Sequence, residues 1–320
     1  MLAAVTAPTR FRTLRPWLIE TFGRPVHRLA LDAGSTCPNR DGTRGFGGCA
    51  YCDVEGSGTG ALKSGLDLQE QLRLGLARLE RREGGDGGVI AYFQSYSNTY
   101  VSPTRLDEVL EVVEARAGAP LVAVSVATRP DTLPDWALER LVKLQARLPV
   151  WVELGLECAD DRVLQAINRL HTTSEFEACV ERVHAAGLLA VGHAILGLPG
   201  DDRSGARRTA EVLAQSGVAG VKVHQLMVLE KTRFAADWRA GRLAVLEPET
   251  YVDWLADFVE RLAPHQVLHR LTGDAEEGLL APRWALDKND VRRALEEELS
   301  LRGTYQGSAR AGAPAQSPRR

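Results

Sequence analysis

The 320-residue chain has length for one large domain with a modest annex, which excludes a small scaffold held together only by staples. Hydrophobic residues make up 44% and charged residues 25%, and 39 basic against 42 acidic side chains leave a formal charge of −3, so the surface is not polycationic overall. Five cysteines are few and odd in number for a disulfide framework and suit a reducing compartment, where thiols are buried or act as ligands.

Residues 1–25 contain four arginines and no long uncharged apolar stretch, which predicts a solvated helical extension rather than a secretory signal or a membrane span, with the cytoplasm as the expected location. Short runs rich in Val, Leu and Ile then follow at 26–34, 88–95, 120–128, 150–156, 188–196 and 220–229, and they predict six strands. Helical stripes lie between and after them: Leu68, Leu72, Leu76 and Leu79; Val163, Leu164 and Ile167; Val252, Leu255, Val259 and Leu262. This alternation predicts an α/β fold with a parallel sheet, whose chemistry sits at the carboxyl ends of the strands. Residues 266–273 predict an edge or seventh strand, 287–302 a helix, and the Gly-, Ala- and Pro-rich end a flexible tail.

The first strand runs into GSTCPNRDGTRGFGGCAYCD, which sets Cys37, Cys49 and Cys52 in a C-x11-C-x2-C pattern among glycines 42, 45, 47 and 48. Three thiolates on a glycine-rich loop suit a four-iron cluster with one open iron. Zinc would want a fourth ligand, for which only His27 upstream or Asp53 offers itself, and unrelated thiols are a third reading. Cys158 and Cys179 read as packing residues. Neither GxGxxG nor GxxxxGK[ST] occurs in the form a nucleotide phosphate loop requires, which removes support for a dinucleotide dehydrogenase.

Further polar positions follow the apolar runs. Gln94, Ser95 and Asn98 offer neutral donors and acceptors after the second strand. Thr128 and Arg129 end the third, where the arginine is placed to clamp a carboxylate or phosphate or else to pair with Asp131. Lys222 and His224 share one strand face and, with Glu230, are candidates for substrate contact. Tyr51, Phe93, Tyr96 and Tyr100 are aromatic candidates for stacking a base, and Arg40, Arg44, Arg203, Arg207 and Arg208 for local phosphate contacts.

The segment TCPNRDGTRGFGGCAYC resembles that of radical S-adenosylmethionine (SAM) proteins of the YhcC and YtqA type, which are related to the radical SAM domain of the Elongator catalytic subunit. FQSYSNTY at 93–100, ATRPD at 127–131, ELGLE at 153–157, INRLH at 167–171, HAILGLPG at 193–200, HRLTGD at 269–274 and RGTYQG at 302–307 also look like family blocks in the right order. The resemblance implies a partial TIM-like (β/α)6 barrel over 26–235. Around it come an N-terminal extension (1–25), a C-terminal α/β extension (236–306) and a tail (307–320). It implies a [4Fe-4S] cluster on Cys37, Cys49 and Cys52, S-adenosyl-L-methionine on its open iron, a reducing electron donor, and cleavage of SAM to a 5'-deoxyadenosyl radical. It also implies SAM contacts at Gln94, Thr128, Glu153, Glu157, Arg169 and His193, and Arg129, Lys222 and His224 are then the expected substrate contacts. Glu157-Cys158 stands where the family more often has glutamine followed by serine or threonine, and Leu170 where a glycine is common. The process implied is tRNA modification at a wobble-uridine side chain; a small-metabolite or protein substrate, and a zinc-containing nucleic-acid-binding protein without catalysis, are the alternatives. No residue is assigned to catalysis itself, and no stable protein partner or membrane is expected.

Overall fold

The computed structural model describes residues 9–53, 65–118, 120–273, 278–284 and 286–310. In chain order its elements are helix α1 (Leu14–Phe22), strand β1 (Val26–Leu31), α2 (Leu68–Glu83), β2 (Gly88–Phe93), α3 (Pro103–Glu114), β3 (Leu121–Thr128), a 3-10 turn (Pro130–Thr132), α4 (Asp135–Gln145) and β4 (Val150–Glu157). The second half follows with α5 (Asp161–Ala166), α6 (Thr173–Ala185), β5 (Leu189–Leu196), α7 (Arg203–Gln215), β6 (Gly220–Gln225), β7 (Val228–Leu229), α8 (Arg233–Arg239), α9 (Pro248–Arg261), β8 (Val267–Arg270), β9 (Leu279–Ala281) and α10 (Lys288–Arg302). Seven parallel strands form one sheet in the order β1-β2-β3-β4-β5-β6-β8, curled into a partial barrel with β1 and β8 at its edges. Each of the six expected ranges contributes a strand to this sheet, and 266–273 supplies the seventh.

Helix termini carry the capping chemistry their sequences predict: Asp67, Ser102, Thr172, Asp202 and Asp287 each accept a hydrogen bond from a first-turn N–H. The outer sheet face is the main core. There Leu31, Val124, Val152, Leu154 and Leu196 are buried against Leu72, Leu106, Leu141, Val180 and Leu213 of the helices.

The inner face is layered. At the bottom Ile90, Ala123, Trp151, Val191 and Val267 meet Leu14 and Leu18 of α1, whose Trp17 packs 5.6 Å from Trp151, so the N-terminal helix plugs the barrel floor. Two residues further along each strand, on the same face, the chain turns polar with Tyr92, Ser125, Glu153, His193 and Lys222.

Several expected details change. Residues 220–229 do not make one strand: β6 stops at Gln225, whose side chain accepts hydrogen bonds from Thr272 Oγ1 (2.9 Å) and Gly273 N (3.0 Å), and β7 pairs instead with β9 in an antiparallel sheet. The helical stripe of Val163, Leu164 and Ile167 is cut short, because α5 stops at Ala166, and Arg169 lies in a loop between Asn168 (φ 59°) and Leu170 (φ 62°). The residues from 307 to 310 are held rather than free, since Ala309 N donates to Glu260 O (2.9 Å) and Arg310 to Arg261 O (3.2 Å); the rest of the expected tail, and residues 1–8 of the N-terminal extension, lie outside the described residues. Asp274 of the HRLTGD block lies outside them as well.

Candidate active site

A cavity of about 430 Å3 opens at the carboxyl ends of the strands. Its lining brings together the three cysteines of the glycine-rich loop with Gln94, Thr128, Arg129, Glu153, Glu157, Arg169, His193 and His224. Lys222 is not in the wall; it lies beneath, with its ammonium on Glu153, and Glu230, Ser95 and Asn98 also lie outside the lining.

The cysteine loop is latched across the mouth from β1 to the segment after α5. Ala50 N donates to Ile167 O (2.9 Å), and the Asn168 side chain donates to the carbonyls of Phe46 (3.1 Å) and Gly48 (2.7 Å). Gly48 has a left-handed backbone (φ 77°), a conformation that favours glycine, and a Cβ there would come within 3.1 Å of Arg40 Nη2. All five cysteines are free thiols. Among the described residues no three His, Cys, Asp or Glu side chains are gathered closely enough to hold a single metal ion.

The surroundings of the three thiols nevertheless fit an iron-sulfur cluster. N–H groups point at sulfur from three sides: Arg40 to Cys52 (3.3 Å), Asn39 to Cys49 (3.6 Å) and Arg169 to Cys49 (3.9 Å). Burial and the neighbouring Cys49 push the Cys52 thiol up to about 12, and the Arg40 hydrogen bond only partly opposes this. A cluster that offers each thiolate its own iron does not need the convergence a lone ion demands.

Arg169 is the hinge between this loop and the sheet. Its Nη2 donates to Gly155 O (3.1 Å) and pairs with Glu157 (3.3 Å), while its Nε is buried without a partner. Glu157, the last residue of β4, sits at φ 68°, where β4 and β5 slip in register, and this turns its carboxylate toward the arginine. Arg129 is taken by Asp131 in a two-pronged pair (2.8 and 2.7 Å) and by Arg169 O (2.8 Å), so the Asp131 partnership is realised; its Nη1 is buried and unpaired. Thr128 lines the cavity, with its hydroxyl 2.6 Å from that of Thr99 and 3.0 Å from that of Thr132.

The floor is a buried polar layer. Glu153, 1% exposed, accepts from Ser125 Oγ (2.6 Å), from His193 Nε2 (2.9 Å) and from Lys222, which also donates to the Tyr92 hydroxyl (3.0 Å). Burial alone would raise the Glu153 carboxyl, but the charge of Lys222 and the hydrogen bond from His193 outweigh it and hold the group well below the usual range. Burial in turn lowers Lys222 to about 8, with Glu153 opposing, and lowers His193, so the layer is an ion pair with a neutral imidazole at neutral pH. Tyr92, Ser125 and the cavity residue Arg270 are absent from the expected set. The first two were legible as polar residues at the inward parity of apolar strands; Arg270 was not.

Other expectations fail on partners already made. Phe93 is 1% exposed and belongs to the outer core, so it stacks on no base, whereas Tyr51 and Tyr96 do line the cavity. Asn98 spans the ends of β2 and β3 through Phe93 O (3.1 Å) and Ala127 O (2.8 Å). Arg203 and Arg207 are held by Asp257, Arg44 by Asp131 and Glu175, and Glu230 by Arg239, which leaves them committed within the protein. Cys158 and Cys179 are buried, each pushed up to about 12 chiefly by that burial, and behave as packing thiols.

Residues 36–213 match the model of the radical SAM superfamily, more than half of the chain, and 218–300 match that of the radical SAM C-terminal domain. The chain belongs to the radical SAM superfamily. As a radical SAM protein it is 38% identical over 299 residues to YtqA of Bacillus subtilis (93% of this chain, 92% of YtqA) and 33% identical over 294 residues to YhcC of Escherichia coli K12 (91% and 93%). A shorter match, 24% identical over 156 residues, covers 48% of this chain and 33% of a tRNA uridine(34) acetyltransferase of Dehalococcoides mccartyi. Among solved structures, archaeal Elp3 of Methanocaldococcus infernus superposes with a TM-score of 0.69 at 15% identity, over 88% of this chain and 64% of that one, which shows the shared fold. The radical SAM domain makes the chain an enzyme whose family works with a [4Fe-4S] cluster and SAM. No helix among the described residues is long and apolar enough to cross a membrane.

Proposed function

We propose that Cys37, Cys49 and Cys52 hold a [4Fe-4S] cluster, that SAM binds in the cavity between this loop and Glu153, and that the substrate is a tRNA wobble-uridine side chain. The observation that carries the reading is the convergence on one cavity of all three loop cysteines with Glu157, Arg169 and His193. When bound, the cluster and SAM supply an electron and a 5'-deoxyadenosyl radical that removes hydrogen from substrate.

The protein groups orient and enclose. Arg169 and Arg129 each keep a buried N–H without a protein acceptor, suited to the carboxylate of SAM or to the substrate. His193 is fixed by Glu153 and turns a neutral ring to the cavity, suited to a ribose hydroxyl. Gln94 faces the same space as a neutral polar contact, Thr128 closes the wall beside it, and Tyr51, Ile195, Leu226 and Met227 supply apolar walls that keep water out. Lys222 acts beneath the floor by holding Glu153 ionised, and His224 lines the wall on the substrate side.

The tRNA assignment rests on the likeness to Elongator-type proteins and to the uridine(34) acetyltransferase. Arg44, Arg203 and Arg207 are committed to acids, RNA contacts are expected close to the cavity, and a reducing protein is the expected electron donor.

After anaerobic reconstitution the chain is expected to hold about four iron and four sulfide and, once reduced, to release 5'-deoxyadenosine; Cys37→Ala, Cys49→Ala and Cys52→Ala should each abolish both. Retention of zinc with no 5'-deoxyadenosine would overturn the enzyme reading. For the substrate, nucleosides of tRNA from cells with and without the protein are compared by mass spectrometry, and an unchanged profile would turn the assignment to a small metabolite or a protein.

A further inference from the structure

The β6–β8 side of the cavity carries a cation that no role above absorbs. Between β6 and β8 the register slips, pairing Val221 with Leu268 but Lys222 with Arg270, so one residue is extra on β8. A bulge of this kind re-aims side chains. His269 stays inward against Trp151 (5.8 Å), in space left open because a Cβ on Gly220 would overlap its ring, and Arg270 is turned into the cavity wall.

Arg270 has no acid. Its Nε is buried without a hydrogen-bond partner, and among the described residues it makes no ion pair. Lys222 lies opposite it in the register, and Arg28 of β1 reaches the face of Tyr92 (5.9 Å), the ring whose hydroxyl Lys222 binds. Three cations are thus gathered on this side of the barrel, and Glu153, the carboxylate of the polar layer, is already occupied by Lys222. Burial, and then the charge of Arg270, drive the His224 ring down to about 3, so it stays neutral, with Nδ1 donating to Gln225 O (2.8 Å).

The arginine is also held in place. Gln225 ties the turn after β8 through Thr272 and Gly273, and a Cβ on Gly273 would come within 2.6 Å of Met227 Cε. A preset, partly desolvated guanidinium with an excess of positive charge behind it is costly without an anion and well suited to one. In strand order Arg270 stands three strands from β4, which carries Glu157 and meets Arg169.

We propose that Arg270 anchors an oxyanion subsite on the β6–β8 side of the cavity that takes a carboxylate or phosphate of the substrate. The proposal rests on the preceding reading only in taking this cavity as the place where substrate binds.

Calorimetric titration of inorganic phosphate and of acetate into the full-length reconstituted protein, at constant ionic strength in chloride, tests it. Saturable binding of at least one anion is expected, weakened at least tenfold in Arg270→Gln and less in Arg270→Lys, which keeps the charge but loses the planar fork, with Arg293→Gln on the surface of α10 binding like wild type. The anion bound more tightly identifies the substrate group. Binding in Arg270→Gln equal to wild type, or no saturable binding in wild type, would overturn the subsite; Arg270→Lys carries the comparison if the glutamine variant fails to fold by circular dichroism. Iron, sulfide and 5'-deoxyadenosine measured on the same wild-type preparation separate this from the radical reading, since lost cluster chemistry with intact anion binding counts against the latter alone.

Discussion

Glu153 shows how one residue organises the floor of the site. Its two oxygens are shared among a hydroxyl, an imidazole and an ammonium, so removing one partner leaves the others buried with less compensation. Glu153→Gln leaves the Lys222 ammonium unpaired, and Lys222→Met leaves the carboxylate with only neutral partners; each should cost about 3–5 kcal/mol in urea unfolding. The double variant Glu153→Gln/Lys222→Met should lose less than the sum of the two, because no lone charge is left buried. Strict additivity would show that the pair is not coupled. Both residues stood out in the sequence as charges inside apolar strands, but their pairing did not, since 69 residues separate them.

At the level of elements, close approach between backbone and side chain decides what the strands can present. A Cβ on Gly155 would overlap both Glu157 Oε1 and Arg169 Nη2, and one on Gly192 would overlap Leu213 of α7. Both Gly155→Ala and Gly192→Ala should therefore lower the melting temperature, but only Gly155→Ala displaces Arg169, so it alone should weaken SAM binding to the reconstituted protein, by tenfold or more. Equal SAM affinity in the two variants would remove Arg169 from the SAM site. The helix and strand assignments were legible because apolar periodicity and caps are local. The break after Gln225 was not, because it depends on Thr272 and Gly273 competing for that side chain from another segment. The same holds for Arg169, whose loop conformation is set by the cysteine loop docked on it.

For the whole molecule, the C-terminal segments are bound to the barrel by charge as well as by apolar packing. Asp257 of α9, 4% exposed, accepts from Arg203 and Arg207 of α7 and from Arg302 of α10; burial would raise it, but the three guanidiniums hold it well below the usual carboxylate range. The boundary between the two family matches, at 213 and 218, falls just before β6, which is in register with β5 in the same sheet. Acid should weaken this structure through its buried histidines. Burial drives His224 and His269 to about 3, so the native rings stay neutral while unfolded rings take up protons below about 6.5. The stability they contribute is full above that value and declines as pH falls from 6.5 toward 3, with an upper bound of about 2 kcal/mol per ring at pH 5. Urea midpoints at pH 7 and pH 5 check this, and a midpoint unchanged or higher at pH 5 would contradict it. His224→Gln should flatten the dependence.

What the sequence determines by itself is whatever depends on near neighbours or on a recurring pattern. That covers the strand and helix alternation, the caps, the C-x11-C-x2-C loop and the family blocks, all fixed by local propensity, periodicity and spacing. Tertiary structure decides which polar groups meet and which are already spent. It joins Glu153 to Lys222 and Arg169 to Glu157, ties Arg203 and Arg207 to Asp257, and through a one-residue slip in β8 turns Arg270 into the cavity. The physical reason is that a buried charge must find its partner in space, and here the partners lie in segments far apart along the chain.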